Sequence, residues 1–344
     1  MGIGQTYIRS IGLVGFSDYV NSHGGDFAAL IADCGLSLKN IRDQDSFIPF
    51  QKFSNVMELA AKRLNRPQLG IEWALVLPPH YPNIGPAVLL SNFASDVEEW
   101  ISLCVRYYKY HSNAFSYQLI NIKSDPFAMI RFNMDPFAYP SRQFVEHNLA
   151  ICCQLSRLIT KLPDINPMRA RFRHTRPSDI GIFEQVFRCP IEFDCEHDEL
   201  VFEKFLLKTK VKGNLKFFGS VVNYYVTSRI ENMDVYDQSA ASLVALAIPS
   251  VIGIGKCNLE FVAEGLGIHI KKLQRSLADE GVSFTEILDK VRESMAKRML
   301  IESKAPVANI AKMLDYSSTS AFTLAFKRWT DMTPLKFRAG SASR

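Results

Sequence analysis

The sequence predicts two units of different class. The front is an α+β unit, helices with a small antiparallel sheet. The back is an all-α C-terminal unit with two helix-turn-helix motifs joined by a long helix. Three observations lead there. The chain has 344 residues, more than one ordinary core accommodates. Its first two thirds mix helical periodicity with hairpin signals and show no βαβ rhythm. Its last third reads as nearly continuous helix in which one pattern occurs twice. The composition, 47% hydrophobic and 22% charged, is that of a globular chain, which excludes disorder, collagen and coiled-coil rods.

In the front unit, 26–34, 49–64 and 96–110 carry apolar residues at helical spacing. Val97, Trp100, Ile101, Cys104 and Val105 make one such face. The β-rich runs 115–122 and 127–133 flank Lys123-Ser124-Asp125-Pro126, a turn-forming set, and predict a hairpin. A helix over 141–162 follows, then a strand at 170–174, a short helix at 180–187, and two short strands at 191–193 and 200–202. The charge-poor stretch 73–95 holds Pro78, Pro79, Pro82 and Pro86, so it does not read as a membrane span, and no signal peptide is visible. Seven scattered cysteines, an odd count, read as reduced thiols. A helix over 221–230 and a polar stretch set the expected boundaries: a front unit over 1–230, a linker over 231–242, and a back unit over 243–342.

The back unit begins with the run 239–255, where Pro249 predicts a short helix and a turn. Next, Leu259, Val262, Ala263 and Leu266 form a helical face closed by Gly267, and Leu273 and Leu277 mark the buried side of a second helix. Forty-eight residues on, Val307, Ile310, Ala311 and Leu314 repeat the face; after one extra residue, Phe322 and Phe326 take the places of Leu273 and Leu277. Two short helices joined by a tight turn are helix-turn-helix geometry, here over about 259–280 and 307–330. Ser283-Phe284-Thr285-Glu286 is a capping box that starts the spacer helix. About twenty helical residues span about 30 Å, close to the roughly 34 Å between successive major-groove faces on one side of B-DNA. Charge agrees with a polyanion partner. Residues 240–344 carry 15 Lys+Arg against 10 Asp+Glu, which accounts for the whole net charge of +5.

On these residues the region 243–342 resembles the DNA-binding domain of AraC/XylS-type transcription regulators. The stretches that carry the likeness are 259–267, 273–277, 310–316, 320–329 and the closing Thr333-Pro334…Arg338. The front resembles the arabinose-binding-like N-terminal domain of one subgroup, through 172–177, 187–193 and 200–202. The resemblance implies a cytoplasmic bacterial regulator, an activator responding to a small-molecule effector. It implies double-stranded DNA and RNA polymerase as partners, and a homodimer formed through the front unit. Three positions depart from the family pattern. Asp315 and Asp331 stand where glycine is usual, and aspartate tolerates the left-handed backbone those turns need. Leu324 stands where many relatives have arginine; leucine makes no hydrogen bond to phosphate or guanine but can contact a thymine methyl.

The expected DNA-binding residues are Lys271, Lys272, Gln274 and Arg275 on the first recognition helix, and Ser318, Thr319, Ser320, Thr323 and Lys327 on the second. Arginine suits a guanine edge, glutamine an adenine, and lysine a phosphate. The competing reading is that these residues solvate or cap a helix. Arg328 and Arg338 read either as phosphate partners or as surface charge, Trp329 as packing, and His269 as a helix cap. In the front unit Tyr107, Tyr110, His111, Phe137, Tyr139 and His147 suit either a pocket lining or a core. No catalytic residue, cofactor or metal is expected. There is no nucleophile elbow or phosphate loop, and Cys189, Cys195 and His197 match no zinc spacing. The alternatives are an effector-independent regulator, or a sensor whose basic unit binds a protein partner.

Overall fold

The computed structural model describes residues 6–38, 41, 46–78, 90–91, 94–108, 111–136, 138, 141–211, 215–230, 239–253, 257–302 and 305–341. The chain opens with strand β1 (Tyr7–Arg9), helices α1 (Phe16–Ser22) and α2 (Phe27–Asp33), and strand β2 (Phe47–Pro49). Helices α3 (Phe50–Arg63), α4 (Leu69–Val76) and α5 (Val97–Tyr108) lead into β3 (Phe115–Ile120) and β4 (Phe127–Met134). Then come α6 (Arg142–Thr160), β5 (Arg169–Arg171), α7 (Gly181–Phe187), β6 (Ile191–Glu192) and β7 (Asp198–Glu203). The expected hairpin is present, with Phe115 paired to Met134 and Ile120 to Met129. Its sheet runs β3-β4-β7-β5-β6. All pairs are antiparallel except β5 with β6, which are parallel and joined through α7. The sequence reading lacked this one crossover because strands of two and three residues carry too few positions for a period.

The first core lies between the sheet and the helices. Ala128, Ile130 and Phe132 alternate inward along β4. They meet Phe144, Leu149 and Leu155 of α6 in one apolar cluster. Helix α6 starts at Ser141, whose hydroxyl accepts from Phe144 N at 3.2 Å. Against it lies α4, brought so close that a Cβ on Gly70 would stand 2.0 Å from the Gln143 carbonyl oxygen. Gln143 closes this contact, accepting from Gly70 N at 2.8 Å and donating to the Pro67 carbonyl at 2.9 Å.

The second core is all helix: α8 (Leu215–Ile230), α9 (Ala240–Val251), α10 (Leu259–Gly265), α11 (Ile270–Asp279), α12 (Phe284–Glu302), α13 (Val307–Met313), α14 (Thr319–Thr330) and α15 (Pro334–Ser341). Two features differ from expectation. Pro249 lies inside α9 without ending it, because it falls in the last turn and only Ser250, Val251 and the Ile252 cap follow. Helix α8, expected in the front unit, instead packs Val221, Val222 and Val226 with Val244, Ile248 and Val262 of the second core. Packing thus groups residues 215–230 with the back unit, while 231–238 of the expected linker lie outside the described residues.

A short ribbon joins the two cores. Strands β1 and β2 pair antiparallel, Ile8 opposite Ile48. Ile8 belongs to the first core, whereas its neighbour Tyr7 is buried in the second. The Tyr7 ring meets Phe47 edge-on at 5.1 Å, and Phe47 N donates to Glu302 Oε2 at the end of α12 at 3.1 Å.

One buried charge makes the front unit sensitive to pH. Glu146 of α6 is fully buried; Arg142 Nε donates to its Oε1 at 2.5 Å, and His174 Nε2 lies 3.2 Å from the same oxygen. Burial pushes its carboxyl up to about 7, against the pull of Arg142. The folded chain therefore holds a proton that the unfolded chain releases above pH ~4.5. Its contribution to stability is present below that pH and is lost as pH rises through about 7. His147, lowered to about 4 by burial, acts with the opposite sign at lower pH, but equally in a variant. The advantage of Glu146→Gln over the parent protein in urea unfolding is therefore expected to grow from pH 5 to pH 8. A difference that stays flat across that range would contradict a buried proton at Glu146.

Candidate nucleic-acid interface

Each half of the repeat builds the same device. In the first, Asn258 caps α10, its Oδ1 accepting from Phe261 N at 2.8 Å. Val262 and Ala263 are buried, and Gly267 makes the turn at φ +66°. His269 caps α11 as expected, Nδ1 accepting from Lys271 N at 3.3 Å. Leu273 and Leu277 lie one turn apart in the core, which turns Lys271, Lys272, Gln274 and Arg275 outward, all exposed. The far end of α11 is fixed by Glu280, whose two carboxylate oxygens accept from Ala240 N and Ala241 N at 2.7 and 2.9 Å.

In the second copy Ile310, Ala311 and Leu314 are buried and Asp315 turns the chain at φ 57°. Asp331 takes φ 57° after α14, so both aspartates adopt the left-handed backbone expected of them. Phe322 and Phe326 anchor α14 in the core, their rings 5.7 Å apart. Ser318, Thr319, Ser320 and Lys327 are exposed, and Thr323 is half-buried. Two of these have structural duties. Ser318 Oγ accepts from Ala321 N at 3.1 Å as the helix cap, and Thr323 Oγ1 donates to the Thr319 carbonyl at 2.8 Å. Leu324 is 72% exposed on the same helix, an apolar group at the centre of a polar face.

Between the copies runs α12, nineteen residues and so about 28 Å long. It opens with the expected capping box. Ser283 N donates to Glu286 Oε2 at 2.8 Å, and Glu286 N donates to Ser283 Oγ at 3.2 Å. Those bonds to Ser283 hold the Glu286 carboxyl below its usual range. Several cations are committed within the unit. Arg328 pairs with Asp289 at 2.5 Å, Lys297 with Glu293 at 2.6 Å, and Arg292 donates to the Asp315 carbonyl and stacks on Tyr316. Arg338 donates to the carbonyls of Leu300 and Ala305, tying α15 to the end of α12, which favours a structural role over a phosphate contact. Trp329 packs edge-on with Tyr316 and Phe326. The spacer thus carries a helix-turn-helix at each end, each with an outward row of polar side chains.

Of the front-unit aromatics, Tyr110, Phe137 and Tyr139 lie outside the described residues, as does the Tyr107 side chain. His111 and His147 come together on one cavity wall. No helix among the described residues is long and apolar enough to cross a membrane. The ribbon through Tyr7 and Phe47 escaped the sequence reading. Three-residue strands offer no period, and nothing local marks residue 7 as part of a core some two hundred residues away.

This architecture defines a double helix-turn-helix, DNA-binding transcription regulator, and the comparisons with known proteins agree. Residues 24–211 match the arabinose-binding domain of AraC transcription regulators, and residues 262–340 match a helix-turn-helix domain. The chain belongs to the AraC family of transcription regulators. It is 22% identical to the HTH-type transcriptional regulator VirS of Mycobacterium tuberculosis over 337 residues, 96% of each chain. It is 29% identical to the HTH-type transcriptional regulator VqsM of Pseudomonas aeruginosa over 202 residues, 58% of this chain and 61% of that one. The crystal structure of the transcriptional regulator CdpR from Pseudomonas aeruginosa aligns with a TM-score of 0.35 at 20% identity, covering 81% of this chain and 91% of that one. Both curated relatives are regulators of transcription.

Proposed function

We propose that the chain is a cytoplasmic activator that binds a promoter or operator through both helix-turn-helix units and recruits RNA polymerase. Its N-terminal unit binds a small-molecule effector and pairs with a second copy. The observation that carries the reading is the duplicated reader on a stiff spacer. In each copy the recognition helix commits its apolar side to the core and leaves its polar side exposed. In the first reader Arg275 contacts a guanine edge, Gln274 an adenine, and Lys271 and Lys272 phosphates. In the second, Thr319, Ser320 and Lys327 are the uncommitted groups. Ser318 and Thr323 add contacts only through what their capping and backbone bonds leave over. Leu324 reads a thymine methyl, so the second reader relies less on charge than the first.

Arg275→Ala is expected to weaken binding to a selected operator by about 1–3 kcal/mol and to relax selectivity at one base pair of the first half-site. Lys272→Ala should weaken all sequences alike and reduce the salt dependence by roughly one phosphate contact. Titrations of the full chain with labelled duplex at several salt concentrations measure both. Parent-like affinity in Arg275→Ala would remove α11 from the interface.

A further inference from the structure

The two readers carry different chemistry at the same place. The offset of 49 residues that sets Phe322 over Leu273 and Phe326 over Leu277 also sets Leu324 over Arg275, Ser320 over Lys271 and Thr323 over Gln274. Both helices bury the matching pair of side chains, so Leu324 stands on α14 where Arg275 stands on α11, and both are exposed. Ser320, Leu324 and Lys327 follow at spacings of four and three, which is one stripe of a helix. The stripe is polar at its ends, and its middle is a leucine with 72% of its surface open. A single apolar side chain on a protein surface is ordinary and by itself says nothing. This one takes the place of the arginine assigned above to a guanine edge, and an apolar group in a major groove finds one apolar feature there, the methyl at pyrimidine C5.

The polar groups around Leu324 set a second condition. Next to C5, thymine presents O4, an acceptor, and cytosine presents its N4 amino group, a donor. A fixed donor on the protein rejects cytosine there, as a fixed acceptor rejects thymine. The described residues beside Leu324 impose neither. The Ser320 hydroxyl donates or accepts as its proton turns. Thr323 donates its proton to the Thr319 carbonyl at 2.8 Å, and so meets a base only as an acceptor. Arg328 is held by Asp289. Lys327 carries its charge on a long flexible stem that reaches the backbone phosphates.

We propose that the second reader selects the C5 methyl group and not the pyrimidine that bears it, so that it binds 5-methylcytosine in duplex DNA as it binds thymine and discriminates against unmethylated cytosine. This rests on the reading that α14 enters the major groove, and it adds methylated DNA as a ligand class. The methyl occupies the same place on both bases. What differs is the group at C4, which the hydroxyls of Ser320 and Thr323 accommodate in either form. Methylation of one cytosine in the second half-site thereby buries a methyl against Leu324 and tightens the complex without any change in the base sequence.

The test titrates the full chain, at fixed salt, against a labelled operator selected from randomised sequences. Each thymine of the second half-site is replaced in turn by uracil, which removes only the methyl. The same position then receives cytosine or 5-methylcytosine, paired with guanine. Where the thymine meets Leu324, uracil is expected to weaken binding roughly fourfold, the worth of one buried methyl. 5-Methylcytosine should bind roughly fourfold more tightly than cytosine and within about twofold of thymine. Leu324→Ser should erase both methyl differences at the melting temperature of the parent, because the side chain is exposed. A second half-site with no thymine that responds to uracil, 5-methylcytosine no tighter than cytosine, or methyl differences that survive in Leu324→Ser would each overturn the proposal. In all three cases the operator is still selected and bound, so the DNA-binding reading stands; a chain that enriches no sequence overturns both. The uracil and cytosine comparisons use the parent protein and decide the matter even if the variant fails to fold.

Discussion

Phe322→Ala lowers the unfolding free energy of the C-terminal unit by about 3–5 kcal/mol, a large share of what such a domain has in total. The ring is fully buried and is one of two that fasten α14 to the core, with Phe326 5.7 Å and Tyr316 5.5 Å away. Tyr316 in turn stacks under Arg292, which donates to the Asp315 carbonyl at the turn of the motif. Truncation leaves a void beneath the turn that orients the second reader, so stability and operator affinity fall together. Urea unfolding followed through Trp329, which packs against Phe326, reports on this unit. A loss under about 1 kcal/mol would mean that α14 is held by something other than its phenylalanines.

Gly70→Ala destabilises the N-terminal unit by about 3 kcal/mol or more, although it adds a single methyl. The added carbon would stand 2.0 Å from the Gln143 carbonyl oxygen and 2.8 Å from its carbonyl carbon. Both are backbone atoms of a helix fixed at its start by Ser141, so neither gives way as a flexible side-chain tip could. Helices α4 and α6 must separate, and with them the Gln143 bonds to Gly70 and Pro67. The loss should show in the fluorescence of Trp73 and Trp100 and leave the Trp329 transition nearly unchanged. Parent-like stability would contradict the close approach of the two helices.

The reader was legible in the sequence because every device in it is local. Capping residues sit three positions from their partners, as at Ser283 and Glu286. The buried leucines and phenylalanines recur at helical spacing, and the turns ask for glycine or for aspartate, which takes φ 57° here. The exposed face follows once the buried face is known. What stayed hidden is non-local. Helix α4 sets one charged residue, Glu72, among apolar ones and packs against α3, α6 and α7, so it shows no amphipathic period. The parallel β5–β6 pair, the placement of α8 against α9 and α10, and the β1–β2 ribbon all depend on partners distant along the chain. The cavities of the N-terminal unit depend on how α5 and α6 lie over the sheet; of the six residues weighed as a pocket lining, the described side chains of His111 and His147 stand on one cavity wall.

The most direct measurement is a footprint of the full chain on a duplex selected from randomised sequences, with the stoichiometry determined at the same time. Two readers on one stiff spacer predict that a single chain protects two short major-groove segments, about 10–10.5 base pairs apart and on one face of the duplex. Affinity should fall linearly in log–log terms with salt. One protected segment per chain, segments on opposite faces, or no enrichment of any sequence would contradict the account.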